Sequence, residues 1–399
     1  MALMCAAAVR ERAHEMLALG EAGKLAHWSV HRDRLPACAA YVAEVVRDQY
    51  PDLQVPFHAR WRHFVSGGRD LWAEAIATRY WPDAESRARA AFDLAITSVL
   101  LDAGSGPDWS YEDPVTGMVS ARSEGLAVAS FRMFEAGAFS ADPEDAFRAD
   151  ASVLSALTAE DLAAGFQASE SNPLVGLEGR AALLRRLGDQ CAARPDLFAL
   201  EDKLRPGGLF DLLAQRCHPG AVAAPLILDV VLEGLGPIWE GRPVLHGVAL
   251  GDCWPHPAMD GDGHVPLHKL SQWLSYSLVE PLEAAGVEVI DLDGLTGLAE
   301  YRNGGLFVDR GVLELKTPAD IDKAWPVDSP LVVEWRAMTV ALLDEIAPLV
   351  REALDVDAKD LPLASVLEGG TWAAGRRAAA QAREGGGPPL KIISDGTVF

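Results

Sequence analysis

The tightest constraint on the fold lies between Val265 and Leu313, VPLHKLSQWLSYSLVEPLEAAGVEVIDLDGLTGLAEYRNGGLFVDRGVL. Pro266 opens a helical pattern in which Leu267, Leu270, Leu274 and Leu278 recur three or four apart, and Gly286 closes it. A second stripe of that helix carries Lys269, Gln272, Trp273, Tyr276 and Glu280. A solvated face rarely combines a lysine, two aromatics and a glutamine, whereas an apolar pocket wall with a few placed polar groups does. A short apolar run, Val287 to Ile290, follows. Then Leu295-Thr296-Gly297-Leu298-Ala299-Glu300-Tyr301-Arg302-Asn303-Gly304-Gly305 sets an acid, a phenol, a guanidinium and an amide beside two glycines. On spacing alone, Glu300 with Tyr301 and Arg302 reads either as a salt-bridged turn or as a catalytic carboxylate with Lys269 as its cationic partner.

The rest of the chain reads as mainly α. Ala6 to Leu19 and Leu35 to Tyr50 predict two N-terminal helices, stopped by Gly20 and Pro51. Residues 84 to 101 predict a strongly apolar helix. Asp102 stands at its C-terminal edge, where the helix dipole disfavours a carboxylate, which suggests a ligand role. Trp109 follows in the next loop. Arg122, Ser123 and Glu124 lead into a helix over Gly125 to Glu135, and they read equally as capping residues and as ligand contacts. Thr158 with Asp161 predicts a capped helix start, and Ser171 to Leu174 another. Ala221 to Gly234 is apolar enough to cross the core. Residues 235 to 264 form a long Pro/Gly/Trp/His/Asp loop of the kind that serves a site. Glu334 begins a helix to Leu354. Gly385-Gly386-Gly387-Pro388-Pro389 reads as a flexible linker, and LKIISDGTVF as two short strands about a turn. The expected organisation is one helical domain over 1–384, with an N-terminal helical part at 1–80 and a core at 81–384, then a tail at 385–399.

Charge narrows the function classes. The net charge of −23, from 35 basic and 58 acidic residues, argues against nucleic acid or an anionic membrane as partner. No window approaches a membrane span, no signal-peptide core follows the N-terminus, and five scattered cysteines without a CxxC fit a reducing cytoplasm. Arg60, Arg62 and His63, in PFHARWRH, read as an anion site or as surface cations over buried aromatics.

Other chemistries find less support. His246, Asp252, Cys253, His256, His264 and His268 crowd one segment but lack zinc spacing, and Pro266 breaks the helix that would align His264 with His268. Cys253 has no nucleophile motif. No GxSxG, GxGxxG or P-loop is present. Neither a metal nor a cofactor is expected.

Five stretches, LDAGSGPDWSYEDPVTG, RSEGLAVASFRMF, HGVALGDCWPH, VPLHKLSQWLSYSLVEPLE and LTGLAEYRNGGLFVD, resemble a uracil-catabolism family formerly known only as a domain of unknown function. The likeness covers nearly the whole chain. More distantly the motif order is similar to that of the queuosine 5′-phosphate N-glycosylases, which have a helical fold related to DNA glycosylases. Their helix with lysine then glutamine matches Lys269 and Gln272. Their leucine-threonine matches Leu295-Thr296, and their Asp-Tyr-Arg stands here as Glu300-Tyr301-Arg302. Glu334 to Arg336 and Ser171 to Leu174 also resemble segments of that family. The aspartate is replaced by a glutamate, and RSEG stands where that family has aromatic residues, so the resemblance implies a shared reaction with a different leaving group.

The uracil pathway implied by the first resemblance opens the pyrimidine ring and passes through a ribosyl-linked urea. The implied function is an N-glycosidic hydrolase cleaving ribosylurea or its 5′-phosphate, on a glycosylase-like helical core with a small C-terminal β element. Glu300, Lys269 and Asp252 would be catalytic. Asp102, Trp109, Arg122, Ser123, Glu124, His246, Trp254, Trp273, Tyr301 and Arg302 would bind a small nucleoside-like substrate. The alternatives are a non-catalytic binding or scaffold protein of the pathway and a metal-dependent amidohydrolase.

Overall fold

The computed structural model describes residues 3–200, 203–217 and 220–393. The fold is mainly α, with short strands between the helices. Contacts gather into two compact units rather than the single domain expected over 1–384. One unit is built from Met1–His58, Arg242–Gln272 and Asp291–Ser394, the other mainly from Ala59–Gly241 and Trp273–Ile290. Among the described residues no helix is long and apolar enough to cross a membrane.

The first unit is organised around the helix Pro330–Leu354. Every residue from Leu331 to Leu343 is buried, so this helix is enclosed on all sides. Ala6–Glu21 and Leu35–Gln49 pack along it. Charges inside such a helix must find partners, which makes Glu334 and Arg336 informative. The short helix Tyr301–Asp309 crosses Ala373–Ala382 closely. Gly375 permits this, since a Cβ there would stand 2.2 Å from the Arg302 carbonyl oxygen. Gly304 likewise lies against Trp335, whose indole N–H donates to the Gly304 carbonyl at 3.0 Å.

Two-stranded pairings join the loops. Trp28–Val30 runs antiparallel to Leu313–Leu315, and Cys253–Pro255 antiparallel to His264–Pro266. Val244–Leu245 and Val248–Ala249 form a hairpin. Lys391–Ile393 pairs in parallel with Ala324–Pro326, while the second tail strand expected from the sequence falls on residues 394–399, outside the described ones. The 385–389 stretch is not a free linker. The Gly386 and Gly387 carbonyls accept from Arg302 and Arg383, and Pro389 packs over Gly305.

In the second unit Ala84–Leu100 is buried along most of its length, beside Arg122–Glu135 and Leu177–Ala193. Thr158 and Asp161 form the expected reciprocal cap. The helix expected from Ser171 starts later, at Leu177, because Asn172 spends its side-chain amide on the Gln167 and Ser110 carbonyls. The apolar 221–234 run divides into a strand, Ala221–Ala223, paired in parallel with Glu288–Ile290, and a helix, Ala224–Leu235.

Candidate active site

Glu300 is the N-cap of Tyr301–Asp309. Its carboxylate oxygens accept from the backbone N–H of Arg302 at 2.6 Å and of Asn303 at 2.5 Å. Caps are usually shorter side chains; here the extra methylene is accommodated in a buried site. Burial pushes the Glu300 carboxyl above the ordinary carboxylate range. The Arg302 N–H, the Lys269 ammonium, the Asn303 N–H and the His58 ring oppose that shift. Lys269 and Glu300 therefore share one electrostatic environment within the first unit. The Arg302 guanidinium turns elsewhere, donating to Gly386 O at 2.7 Å and lying 4.9 Å from the Tyr301 ring centre.

Lys269 begins the helix Lys269–Ala284, three residues later than the Pro266 start read from the sequence. Pro266 belongs to a strand, and His268 takes a positive φ of 45°. The helix start is set by a distant cap, because the Lys269 N–H donates to Asp252 Oδ2 at 3.0 Å. Asp252 also accepts two bonds of 2.7 Å from Arg336 and one of 2.8 Å from the Trp254 indole. Burial alone would raise its carboxyl, but the Arg336 charge and these bonds hold it well below the usual range. Arg336 Nε in turn donates to Ala299 O at 3.1 Å, next to Glu300. The Asp252–Arg336 pair thus anchors the backbone on both sides of the Lys269–Glu300 couple. With its lone pairs so committed, Asp252 is placed to position, not to exchange protons with a substrate.

One helical turn past Lys269, on the same face, Gln272 is fully buried. Its Oε1 accepts from the Thr296 N–H at 3.3 Å, while Nε2 has no hydrogen-bond partner among the described residues. A buried donor left so costs about 1–3 kcal/mol unless something else satisfies it.

A third element closes the site. Val366–Trp372 winds as a π-helix, a form found frequently at functional sites. Thr371 Oγ1 donates to Asn303 Oδ1 at 2.8 Å, and so is tied to the Glu300 cap. Glu368, half-buried, lies 2.5 Å from Nδ1 of the buried His58. The His58 ring leans on Trp372, with centroids 5.6 Å apart.

The remaining sequence candidates fall elsewhere. His246 is exposed in the Val244–Ala249 hairpin with a φ of 50°, and Arg122 is exposed with a φ of 55°. Trp109, expected to bind substrate, is instead core, 1% exposed, with its N–H spent on the Phe166 carbonyl. Trp254 supports Asp252 and lies under Arg242. In the second unit Asp102 accepts from Ser123 at 2.5 Å and pairs with Arg60 at 3.2 Å. Arg60, read as a possible surface cation, is fully buried; it donates to Ser98, and its guanidinium lies 5.6 Å from the Trp273 ring centre. The guanidinium explains how Asp102 tolerates a helix C-terminus. Glu124 reaches Arg60 electrostatically. Arg62 pairs with Glu280 at 2.7 Å.

A family described as "Protein of unknown function (DUF1688)" matches residues 2–399. The chain belongs to the DUF1688 family. It is 38% identical to "Protein urg3" of Schizosaccharomyces pombe over 98% of this chain and 96% of that protein. It is 37% identical to "Uracil catabolism protein 4" of Lachancea kluyveri, over 94% and 92% respectively.

Within this DUF1688 chain four site residues escaped the sequence reading: His58, Asn303, Arg336 and Glu368. His58 belongs to the basic-aromatic run in which only its neighbours were weighed, and Glu368 to a polar break beside aromatics. Both signals were visible, but nothing in either joins positions so far apart. No group of three or more His, Cys, Asp or Glu side chains converges as for a metal among the described residues of the DUF1688 chain. His256, from the crowded His/Asp/Cys segment, faces Glu334 at 3.4 Å instead.

Proposed function

We propose that the protein acts in uracil breakdown as an N-glycosidic hydrolase that cleaves ribosylurea or its 5′-phosphate to urea and ribose or ribose phosphate. The pathway part draws on the relative named for uracil catabolism. The chemical part draws on one observation: a buried carboxylate, Glu300, with its charge supported by Lys269 and two backbone N–H groups. The free thiols of all five cysteines fit a reducing cytoplasm.

The reaction breaks the C1′–N bond through an oxocarbenium-like centre, by analogy with glycoside hydrolysis. Glu300 stabilises that centre and takes a proton from the attacking water. Lys269 favours the ionised form of Glu300 and offers a cation to a ribose hydroxyl or a phosphate. Gln272 offers its amide N–H to a polar substrate atom, and Asp252 with Arg336 holds the two sides in register.

Glu300→Gln should lower urea release from ribosylurea and its phosphate by about 10²–10⁴-fold, with circular dichroism unchanged. Because glutamine turns one acceptor into a donor facing an N–H, Glu300→Asp is the companion variant and should keep part of the activity. Full turnover by Glu300→Gln removes Glu300 from the mechanism. A non-catalytic binding role is the second reading, favoured by the use of both Glu300 oxygens as a helix cap. Calorimetric binding of ribosylurea without turnover would select it.

A further inference from the structure

We propose that His58 is the acid that protonates the departing nitrogen, and that Glu368 holds it in that role. The inference rests on the hydrolase reading above and adds the half of the reaction that Glu300 does not serve. Urea leaving as an anion is a poor leaving group, so the nitrogen needs a proton as the C1′–N bond opens. Two other candidates are unsuited to this step, His246 being exposed on a hairpin and Asp252 committed to Arg336, Trp254 and the Lys269 N–H.

His58 has the required placement. Its backbone N–H donates to Ala364 O at 2.9 Å, and Trp372 packs against the ring. Glu368 Oε2, 2.5 Å from Nδ1, accepts the Nδ1–H and so fixes Nδ1 as the N–H nitrogen. Nε2 is then the nitrogen through which the ring gives its proton. The ring is joined to Glu300 by a continuous path: Glu368 and Thr371 share the π-helical segment, Thr371 bonds Asn303, and Asn303 bonds Glu300. The charged groups about His58 include Glu368 from the π-helix and Glu300 from the start of Tyr301–Asp309, and Lys269 acts in turn on Glu300. A carboxylate that accepts and an imidazolium that donates are thus set apart on two elements, with roles separated by their surroundings.

The step balances. The C1′–N electron pair goes to nitrogen, which takes the Nε2 proton and leaves as urea. Water adds its oxygen to C1′ and gives a proton to Glu300. Transfer of that proton to His58 through solvent restores the starting state, so the net change is one water consumed.

The test compares ribosylurea with 4-nitrophenyl β-riboside, whose leaving group departs without protonation. His58→Gln should lower kcat/KM for ribosylurea by about 10²–10⁴-fold and for the nitrophenyl riboside by less than about tenfold. Glu368→Gln should lower kcat/KM for ribosylurea less than His58→Gln does and leave the nitrophenyl riboside within about tenfold, because the ring stays in place but loses the acceptor that fixes its Nδ1–H. Glu368→Gln also carries the test if His58→Gln does not fold. Equal losses on both substrates, in either variant, overturn the role of His58 while leaving the hydrolase reading intact. A wild-type protein inactive on both substrates and on ribosylurea 5′-phosphate overturns the reading and this inference together.

Discussion

Arg336→Met is the sharpest perturbation of the site that leaves Lys269 and Glu300 in place. Arg336 is 1% exposed, and its guanidinium makes two 2.7 Å bonds to Asp252 and one of 3.1 Å to Ala299 O. Methionine fills much of the space but leaves Asp252 as a buried carboxylate with only the Trp254 and Lys269 N–H groups. Removing one member of such a pair costs about 3–5 kcal/mol, a fall in Tm of roughly 6–20 °C for a unit of this size. Asp252→Asn combined with Arg336→Met leaves neither charge unpaired and should recover at least half of the loss. Scanning calorimetry measures both. The pH dependence supplies a control. Asp252 is held well below its ordinary range in the folded protein. Its contribution is therefore present above the unfolded value of about 3.9 and is lost as pH falls through the lower folded value. The gap between wild type and Arg336→Met should be widest at neutral pH and narrow as pH falls, first as the unpaired Asp252, raised by burial, takes up a proton in the variant, and then below about pH 4 as wild type loses its own contribution. An Arg336→Met protein melting within about 1 kcal/mol of wild type at pH 7 refutes the claim that this pair is a buried, mutually dependent anchor.

Two further outcomes follow from the same geometry. Glu300 is raised by burial and lowered by Lys269, so Lys269→Met should raise it further and move the acid limb of kcat/KM to higher pH; a pH–rate profile with an unmoved limb would separate the two residues. Gly375→Ala would drive a methyl to within 2.2 Å of the Arg302 carbonyl, forcing Tyr301–Asp309 and Ala373–Ala382 apart; denaturant unfolding should show a loss of about 1–3 kcal/mol, and an unchanged midpoint would mean that the helices have room to separate.

Helix existence was legible because it depends on local periodicity. The leucine spacing gave Lys269–Ala284, and uninterrupted apolar character gave Ala84–Leu100. The start of the first was not legible, because its cap is the carboxylate of Asp252, a residue outside any helical window. Trp109 and Arg60 were misread for a related reason. A tryptophan in a polar loop and an arginine in a basic run have the composition of a site or a surface, and only tertiary partners, Phe166 O for one and Asp102 for the other, reveal them as interior. The Glu300–Lys269 relation was readable as chemistry but not as distance, since it depends on Arg336 and Asp252 meeting across the first unit. His58 and Glu368, separated by most of the chain, had no local signal that would join them.

The winding of Val366–Trp372 has a consequence for deletion and insertion. A π-turn holds one residue more than an α-turn over a similar rise, and an α-helix advances about 100° per residue. Removing a single residue between Glu368 and Thr371 would let the segment relax to regular α-winding with little loss of helix. Because the shortened turn still closes one full revolution, everything upstream would keep nearly the same phase relative to everything downstream. The flanks would keep their partners, so the segment should tolerate the loss of one of Gly369 and Gly370 better than the gain of a residue there, which neither winding absorbs.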